Sequence, residues 1–460
     1  MTHVALDLLA AIGEEVGGAG PPPVVTLGTG SSLPSVFAVS DLAQASIGAA
    51  GAALSSLVAT SGGGHPPAVT VDRDLASAWF LQTIRPVGWE MPPVWDAVAG
   101  DYSAADGWVR LHTNAPHHRV AALSVLGVPA ERDAVAGAVA MWSADELESA
   151  VVSAGGVAAA MRSLDAWRRH PQGRSVAGEP LLRMERTSGA PTRDPTVGGP
   201  ERPLAGVRVL DLTRVLAGPV ATRLLAGWGA EVLRIDPPDW DEPSIVPEVT
   251  LGKRCARLDL RSVSGKERLL DLLGSADVLV HGYRSDALEG IGLGDAVRDE
   301  RRPGLVDVSL DAYGWTGPWS TRRGFDSLVQ MSAGIADAGR LAVGSDRPVP
   351  LPAQALDHAT GYLLAAAALT GLTVRRSEGT GTRWRASLAA TAKLLIDGGT
   401  VRDGMDSEPA RPVMPEDGPV ERTVWGDARR LAPPLRVEGA PLRWTLPACP
   451  LGSDEARWEA

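Results

Sequence analysis

With 460 residues, the chain is about three times the length of a common ~150-residue domain, which excludes one small module and leaves room for two or three packed units. A composition of 44% hydrophobic and 22% charged residues excludes bulk disorder, and a formal net charge of −11 opposes sequence-independent binding to nucleic acid. Only three of the 44 basic residues are lysines (Lys253, Lys266 and Lys393), so any anionic ligand needs a local basic patch.

The chain opens with Val4, Leu8, Ala11 and Ile12 near helical spacing; without a basic leader, and meeting Glu14-Glu15, this stretch is not expected to be a signal peptide. Gly/Pro breaks follow at 17–23 and 62–67, and Gly28-Thr-Gly30 reads as a turn, since the rest of a dinucleotide fingerprint is missing. His112, His117 and His118 lack a matching carboxylate set, so a surface loop or domain interface is expected there and no metal site. Arg186 to Pro203 is too polar and too rich in Gly and Pro for a helix or central strand, and is the expected linker.

After the linker, strands and helices alternate. Short β-rich runs begin at Val207, Glu231, Asp277 and Leu305, with helical patterns at 220–228 and 264–273 between them. Such βα units imply a parallel sheet covered by helices, whose ligands bind beyond the carboxyl ends of the strands. Those ends are Leu212-Thr213-Arg214, Asp236-Pro237, His281-Gly282-Tyr283 and Asp311-Ala312-Tyr313. The longest strongly apolar run, Tyr362 to Val374, is shorter than the roughly 20 residues of a membrane span, and a soluble protein is expected. Cys255 and Cys449 are too few and too far apart for a disulfide framework or a zinc site, in keeping with a reducing cytoplasm; Cys255 reads as a small strand residue.

The chain also carries a weak internal echo. Leu33-Pro34 and the Ala-rich stretch from Asp41 resemble Leu351-Pro352 and the stretch from Asp357; each then meets a Gly-rich turn, followed by Val69 to Ala78 in the first case and Arg383 to Ala390 in the second. Asp41 is followed four residues later by Ala45, where Asp357 is followed by Gly361, so the first copy is expected to be structural.

From Pro203 the sequence resembles the family III coenzyme A transferases, which include formyl-CoA and carnitine CoA-transferases and α-methylacyl-CoA racemase. The likeness rests on Pro203-Leu-Ala-Gly-Val-Arg-Val-Leu-Asp-Leu-Thr-Arg-Val-Leu-Ala-Gly-Pro, Gly229-Ala-Glu-Val-Leu-Arg-Ile-Asp-Pro-Pro, Gly252-Lys-Arg-Cys-Ala-Arg-Leu-Asp-Leu-Arg, Ala276-Asp-Val-Leu-Val and Gly324-Phe-Asp-Ser-Leu-Val-Gln, and continues through Asp357-x-x-x-Gly361 to Leu388. Asp106-Gly-Trp-Val-Arg-Leu and His170-Pro-Gln-Gly resemble small-domain pieces that normally follow the Asp-containing half, and here precede it. The tail from Pro433 resembles the family's closing segment.

The resemblance implies an α/β fold: a Rossmann-like parallel sheet with helices on both faces as the CoA-binding domain, plus a smaller α+β domain, in a rearranged or partly duplicated unit. The expected division is a partial second copy at 1–185, a linker at 186–202, a CoA-binding and catalytic domain at 203–400 and an extended segment at 401–460. The implied activity is transfer of CoA between an acyl-CoA and a carboxylic acid through an aspartyl anhydride and aspartyl-CoA, with Asp357 as nucleophile. From the residues alone Asp357 reads first as a cap for a helix starting at His358; the two roles are compatible, since a helix N-terminus favours an ionised carboxylate.

By family position, Leu216-Ala217, Leu258 through Arg261, Gly282-Tyr283-Arg284 and Arg323 through Asp326 match CoA-contacting stretches, with Asp326 positioning the acyl end. Lys253-Arg254, Arg257 and Arg261 form the local basic cluster expected to meet CoA phosphate, or else a solvated strand edge. Gly361 permits close approach of the thioester or of a packed helix, and Tyr283 stacks on adenine or packs in the core. His281-Gly282 and Gly290 depart from the family's usual acidic-Asn pair and Arg, and Phe325 stands where the racemase branch has His, so a two-base α-proton exchange lacks its second base. The alternatives are a racemase or epimerase and a degenerate CoA-binding subunit that needs a related chain. No cofactor beyond CoA itself, no metal, no nucleic acid and no membrane partner is expected; the family implies a homodimer.

Overall fold

The β-rich runs after residue 203 form the parallel part of a seven-stranded sheet, in the order Lys253–Arg257, Glu231–Asp236, Arg208–Leu212, Val278–His281, Val306–Asp311, Gly381–Ser387 and Leu182–Thr187. All neighbours are parallel except the last pair. In this computed structural model the described residues are 3–17, 22–62, 64–187, 189, 198–284, 286–401 and 420–459.

The strands are apolar on both sides because the sheet is covered on both faces. Side chains alternate between the faces, and the two sets join separate cores. Val209, Val232, Val278, Val280, Val306 and Val308 pack with the Ala217–Gly227 and Ala355–Glu378 helices. Leu210, Leu212, Leu233, Ile235 and Leu279 pack with Leu269, Leu272 and Leu273 of the Val263–Leu273 helix on the other face.

The two echoing segments share an order of elements. Val39–Gly62 and Ala355–Glu378 are both 24-residue helices, each followed by a strand and a short helix, and they pack on one another. The Val39–Ser61 stretch has the length and apolarity of a membrane span, unlike the Tyr362–Val374 run, but most of it is buried in the protein. Small residues on both helices let the backbones approach, and Leu42, Ile47, Leu54, Leu363 and Leu369 join one core.

That shared core corrects the expected division. Residues 1–185 and 203–400 do not have separate cores here: Leu8, Ile12, Leu54 and Val71 sit in the same cluster as Val306 and Leu364. The expected linker also begins too early, because Arg186 and Thr187 pair with Thr382 and Gly381 as the antiparallel edge of the large sheet. Its centre, 190–197, and the tail residues 402–419 lie outside the described residues. The rest of the tail is not merely extended: Leu435–Val437 joins the Val69–Val71 strand, and Gly426–Arg430 joins Ile84–Val87.

A smaller α+β module does have its own core. Gly100–Ser103, Trp108–Leu111 and Ala158–Ala160 form an antiparallel sheet, backed by Pro116–Leu126, Arg132–Val139 and Ala144–Ser153 around Tyr102, Val109, Val135 and Leu147.

Candidate functional site

A cleft of about 350 Å³ opens beyond the carboxyl ends of the central strands, where the alternating pattern of the sequence placed it. Leu212-Thr213-Arg214, Gly282-Tyr283 and Asp311-Ala312 line it, with Asp357 from the first turn of the Ala355–Glu378 helix. Phe325 forms another part of the wall.

Asp357 is the third residue of its helix, which starts at Ala355 after Gln354, so it is not the cap of a helix beginning at His358. It remains in the first turn, where the helix dipole favours negative charge. Its surroundings oppose ionisation: burial, with the Asp326 carboxyl beside it, holds its pKa well above the ordinary carboxylate range. Asp326 is fully buried and does not line the cleft. Its Oδ2 accepts the Asp357 backbone N–H at 2.9 Å and its Oδ1 accepts a hydrogen bond from Gln330 Nε2 at 2.5 Å. Burial pushes the Asp326 pKa up to about 6 against those bonds. Asp326 therefore holds the turn that carries Asp357. The ionised carboxylate that a helix N-terminus favours is opposed here by the burial of both carboxyls.

His358 packs away from the cleft against Phe80, with ring centroids 5.1 Å apart, and burial lowers its pKa to about 3. Gly361 is a packing residue: a Cβ there would lie 2.5 Å from the Ala217 carbonyl oxygen and 2.8 Å from Val220 Cβ. It lets the helix seat against Ala217–Gly227, whose residue Ala217 lines the cleft while Leu216 is buried beneath it.

The basic cluster at 253–261 lies outside the cleft, and three of its four cations are taken up by protein groups. Lys253 is buried, with Nζ 3.0 Å from Asp211 Oδ2 and 3.0 Å from the Pro219 carbonyl oxygen. Arg254 donates to the Arg457 carbonyl, and Arg257 to three carbonyl oxygens at 237–240. Arg261 is exposed beside Asp259, and Leu258 joins the edge of a core cluster. None of the four lines the cleft. Lys253, Arg254 and Arg257 lie on the edge strand itself, and Asp211 with backbone carbonyls of Pro219, Pro237, Pro238, Trp240 and Arg457 takes up their charge.

The cleft draws its charge from elsewhere. Arg214, Arg284, Arg322 and Arg323 line it. Burial and the neighbouring Arg284 charge lower the Arg323 pKa, against the pull of Asp286. Arg214 lies between the Trp240 and Tyr283 rings, 4.9 and 5.1 Å from their centroids, so one face of Tyr283 is already covered.

Two further features shape the cleft. Val215, in the turn that leads into the Ala217–Gly227 helix, has φ +64°, a left-handed conformation that strains a β-branched residue, and its N–H is held by Glu242 Oε2 at 2.9 Å. His117 and His118 reach the cleft from the smaller module. His118 lies 6.0 Å from Phe325, which stacks on His112 at 4.0 Å, so these histidines belong to the contact between the module and the site. Burial and the charges of His117, His112 and Arg323 bring the His118 pKa to about 3. Among the described residues no group of three or more His, Cys, Asp or Glu side chains is arranged to hold a metal ion.

Residues 204–419 match the family model of CoA-transferase family III. An acetyl-coenzyme A transferase of Hypoxylon pulicicidum, nodX, is 38% identical over 186 residues, covering 39% of this chain and 31% of that protein. An acyl-CoA transferase of Gibberella moniliformis is 30% identical over 320 residues, 64% of this chain and 56% of that one. Among solved structures, a CAIB/BAIF family protein from Brucella suis is 26% identical with a TM-score of 0.39, covering 42% of this chain and 56% of that one. The chain thus spans 31% and 56% of the length of the two curated relatives. The family III segment supplies every residue lining the cleft except His117 and His118.

Proposed function

We propose that the cleft transfers CoA between an acyl-CoA and a carboxylic acid, with Asp357 as the nucleophile. The observation that carries this reading is a first-turn carboxyl in the wall of a strand-end cleft rimmed by Arg214, Arg284 and Arg323, inside the segment that matches the family III model. The arginine rim suits the phosphates of CoA, and the apolar wall of Ala217, Ala312, Phe325 and Leu388 suits its acyl end.

In the first step a carboxylate oxygen of Asp357 attacks the thioester carbonyl carbon, the C–S bond breaks, and CoA leaves as the thiolate with that electron pair. The thiolate then attacks the aspartyl carbonyl of the anhydride and releases the first acid. The acceptor carboxylate attacks the resulting aspartyl-CoA, and thiolate return regenerates Asp357 and the new thioester. The raised pKa of Asp357 makes its carboxylate a stronger nucleophile once it is ionised.

A racemase needs a base opposite Asp357. Phe325 has none to offer, His358 packs elsewhere, and His118, at a pKa of about 3, is too weak to take an α-proton at neutral pH. The test is to incubate the protein with acyl-CoA and hydroxylamine and map the adduct by mass spectrometry. Modification at Asp357 is expected, lost in Asp357→Asn; normal turnover without it rules out this nucleophile. Deuterium uptake at the substrate α-carbon without an acceptor acid would favour the racemase.

A further inference from the structure

Arg214 lies in the cleft against the rings of Trp240 and Tyr283, and the groups on two sides of it lead to one carboxylate. That carboxylate is Glu242, which does not line the cleft and whose side chain is 8% exposed. Its Oε2 accepts the N–H of Val215, the residue after Arg214, at 2.9 Å. The same oxygen accepts the indole N–H of Trp240 at 3.1 Å, and the centre of that ring is 4.9 Å from the Arg214 guanidinium. Oε1 is held at 2.5 Å by Arg234, which is fully buried and makes two further bonds of 2.9 Å to Asp236 at the end of the Glu231–Asp236 strand. Glu242 thus ties the turn and the ring beside Arg214 to the sheet.

Both tied groups need such a hold. Val215, at φ +64°, is in the left-handed region that crowds a β-branched side chain, and a charge-assisted bond to its N–H offsets part of that cost. Trp240 lies between the Glu231–Asp236 strand and the Val246–Val249 helix, outside both. Arg257 fixes the backbone there by donating to the Pro237, Pro238 and Trp240 carbonyls, and Glu242 fixes the ring. An arginine side chain has many rotamers in solution; one confined beforehand loses less freedom when an anion binds.

We propose that Glu242 is a positioning residue for CoA binding: through Val215 and Trp240 it holds Arg214 where its guanidinium meets a CoA phosphate. This rests on the transfer reading for the identity of the ligand. Loss of Glu242 leaves Arg214 in the chain but free to swing, so the phosphates lose a partner while the thiol arm of CoA keeps its contacts.

The test compares CoA with pantetheine, its phosphate-free thiol arm, by calorimetry on the full chain, with acetyl-CoA turnover followed in parallel. Glu242→Ala is expected to weaken CoA binding about 10-fold, the worth of one well-placed charged contact, and to leave pantetheine within about two-fold. Arg214→Gln is expected to do the same, and the double variant to be no worse than Arg214→Gln alone, because Glu242 acts through Arg214. Trp240→Phe keeps a ring and removes its bond to Glu242; CoA binding is expected to weaken about three-fold, which carries the test where Glu242→Ala fails to fold. Unchanged CoA affinity in any single variant, an equal loss for CoA and pantetheine, or additive losses in the double variant overturns the assignment. Failure of the transfer reading looks different: a wild type that binds CoA more tightly than pantetheine but turns over no acetyl-CoA loses that reading, while the binding ratios still decide the role of Glu242.

Discussion

Asp357 is buried in its ionised form only at a cost, and that cost is measurable without any substrate. Because its folded-state pKa lies above the unfolded value of about 3.9, the folded protein holds the proton more tightly and stability falls as pH rises through the window between the two. Asp357→Asn carries no such proton. Its melting temperature is expected to exceed the wild type at pH 8, with the difference shrinking towards pH 4; an equal difference at both pH values would show that ionisation is not its source. Lys253 gives the opposite case. Its ammonium is paired with Asp211, which also accepts from Thr213 and Thr222 at 2.5 Å, so Lys253→Met leaves a buried carboxylate. A loss of about 3–5 kcal/mol is expected in denaturant unfolding, with the CoA affinity of the folded protein unchanged. A selective loss of CoA binding instead would restore Lys253 to the phosphate site.

At the scale of elements, the Ala355–Glu378 helix positions Asp357 only because Gly361 lets it seat on Ala217–Gly227. Gly361→Ala pushes a methyl into a backbone carbonyl that cannot swing aside, and overpacking of this kind costs about 1–3 kcal/mol. Turnover is expected to fall further than stability alone explains, because the displaced turn carries the nucleophile; kcat and melting temperature measured together check this. The alternating apolar pattern made the parallel sheet and its strand-end cleft legible, since burial on both faces demands such strands. The partners of the arginines were not legible. Sequence shows Lys253, Arg254, Arg257 and Arg261 as one patch, but the groups that fold back onto them, Asp211, the Trp240 carbonyl and the Arg457 carbonyl in the tail, come from other parts of the chain. Arg214 was marked as a strand end, yet its role depends on what surrounds it, and the φ of Val215 leaves no trace in composition.

At the scale of the molecule, a buried carboxylate joins the smaller module to the cleft beside the histidine contact. Glu148, on the module's Ala144–Ser153 helix, pairs with Arg162 at 2.5 Å and with Arg322 at 2.7 Å; Arg322 lines the cleft and lies 3.9 Å from the centre of the Trp319 ring. Burial opposes the charge of Glu148, but the two guanidiniums outweigh it and hold its pKa below the ordinary value. A depressed folded pKa means that this contribution is present above the unfolded value of about 4.3 and is lost as pH falls through the folded one, so the module is expected to loosen in acid before the sheet does. Glu148→Ala at neutral pH leaves two cations facing each other in the interface, at a cost of about 3–5 kcal/mol. Hydrogen exchange is expected to rise across residues 100–160 while the strands from Arg208 to Asp311 stay protected, and the KM for acyl-CoA to rise because Arg322 loses its anchor. Uniform exchange over both regions would mean that the module and the sheet open as one unit, and that Glu148 is a stability residue without a part in closing the site.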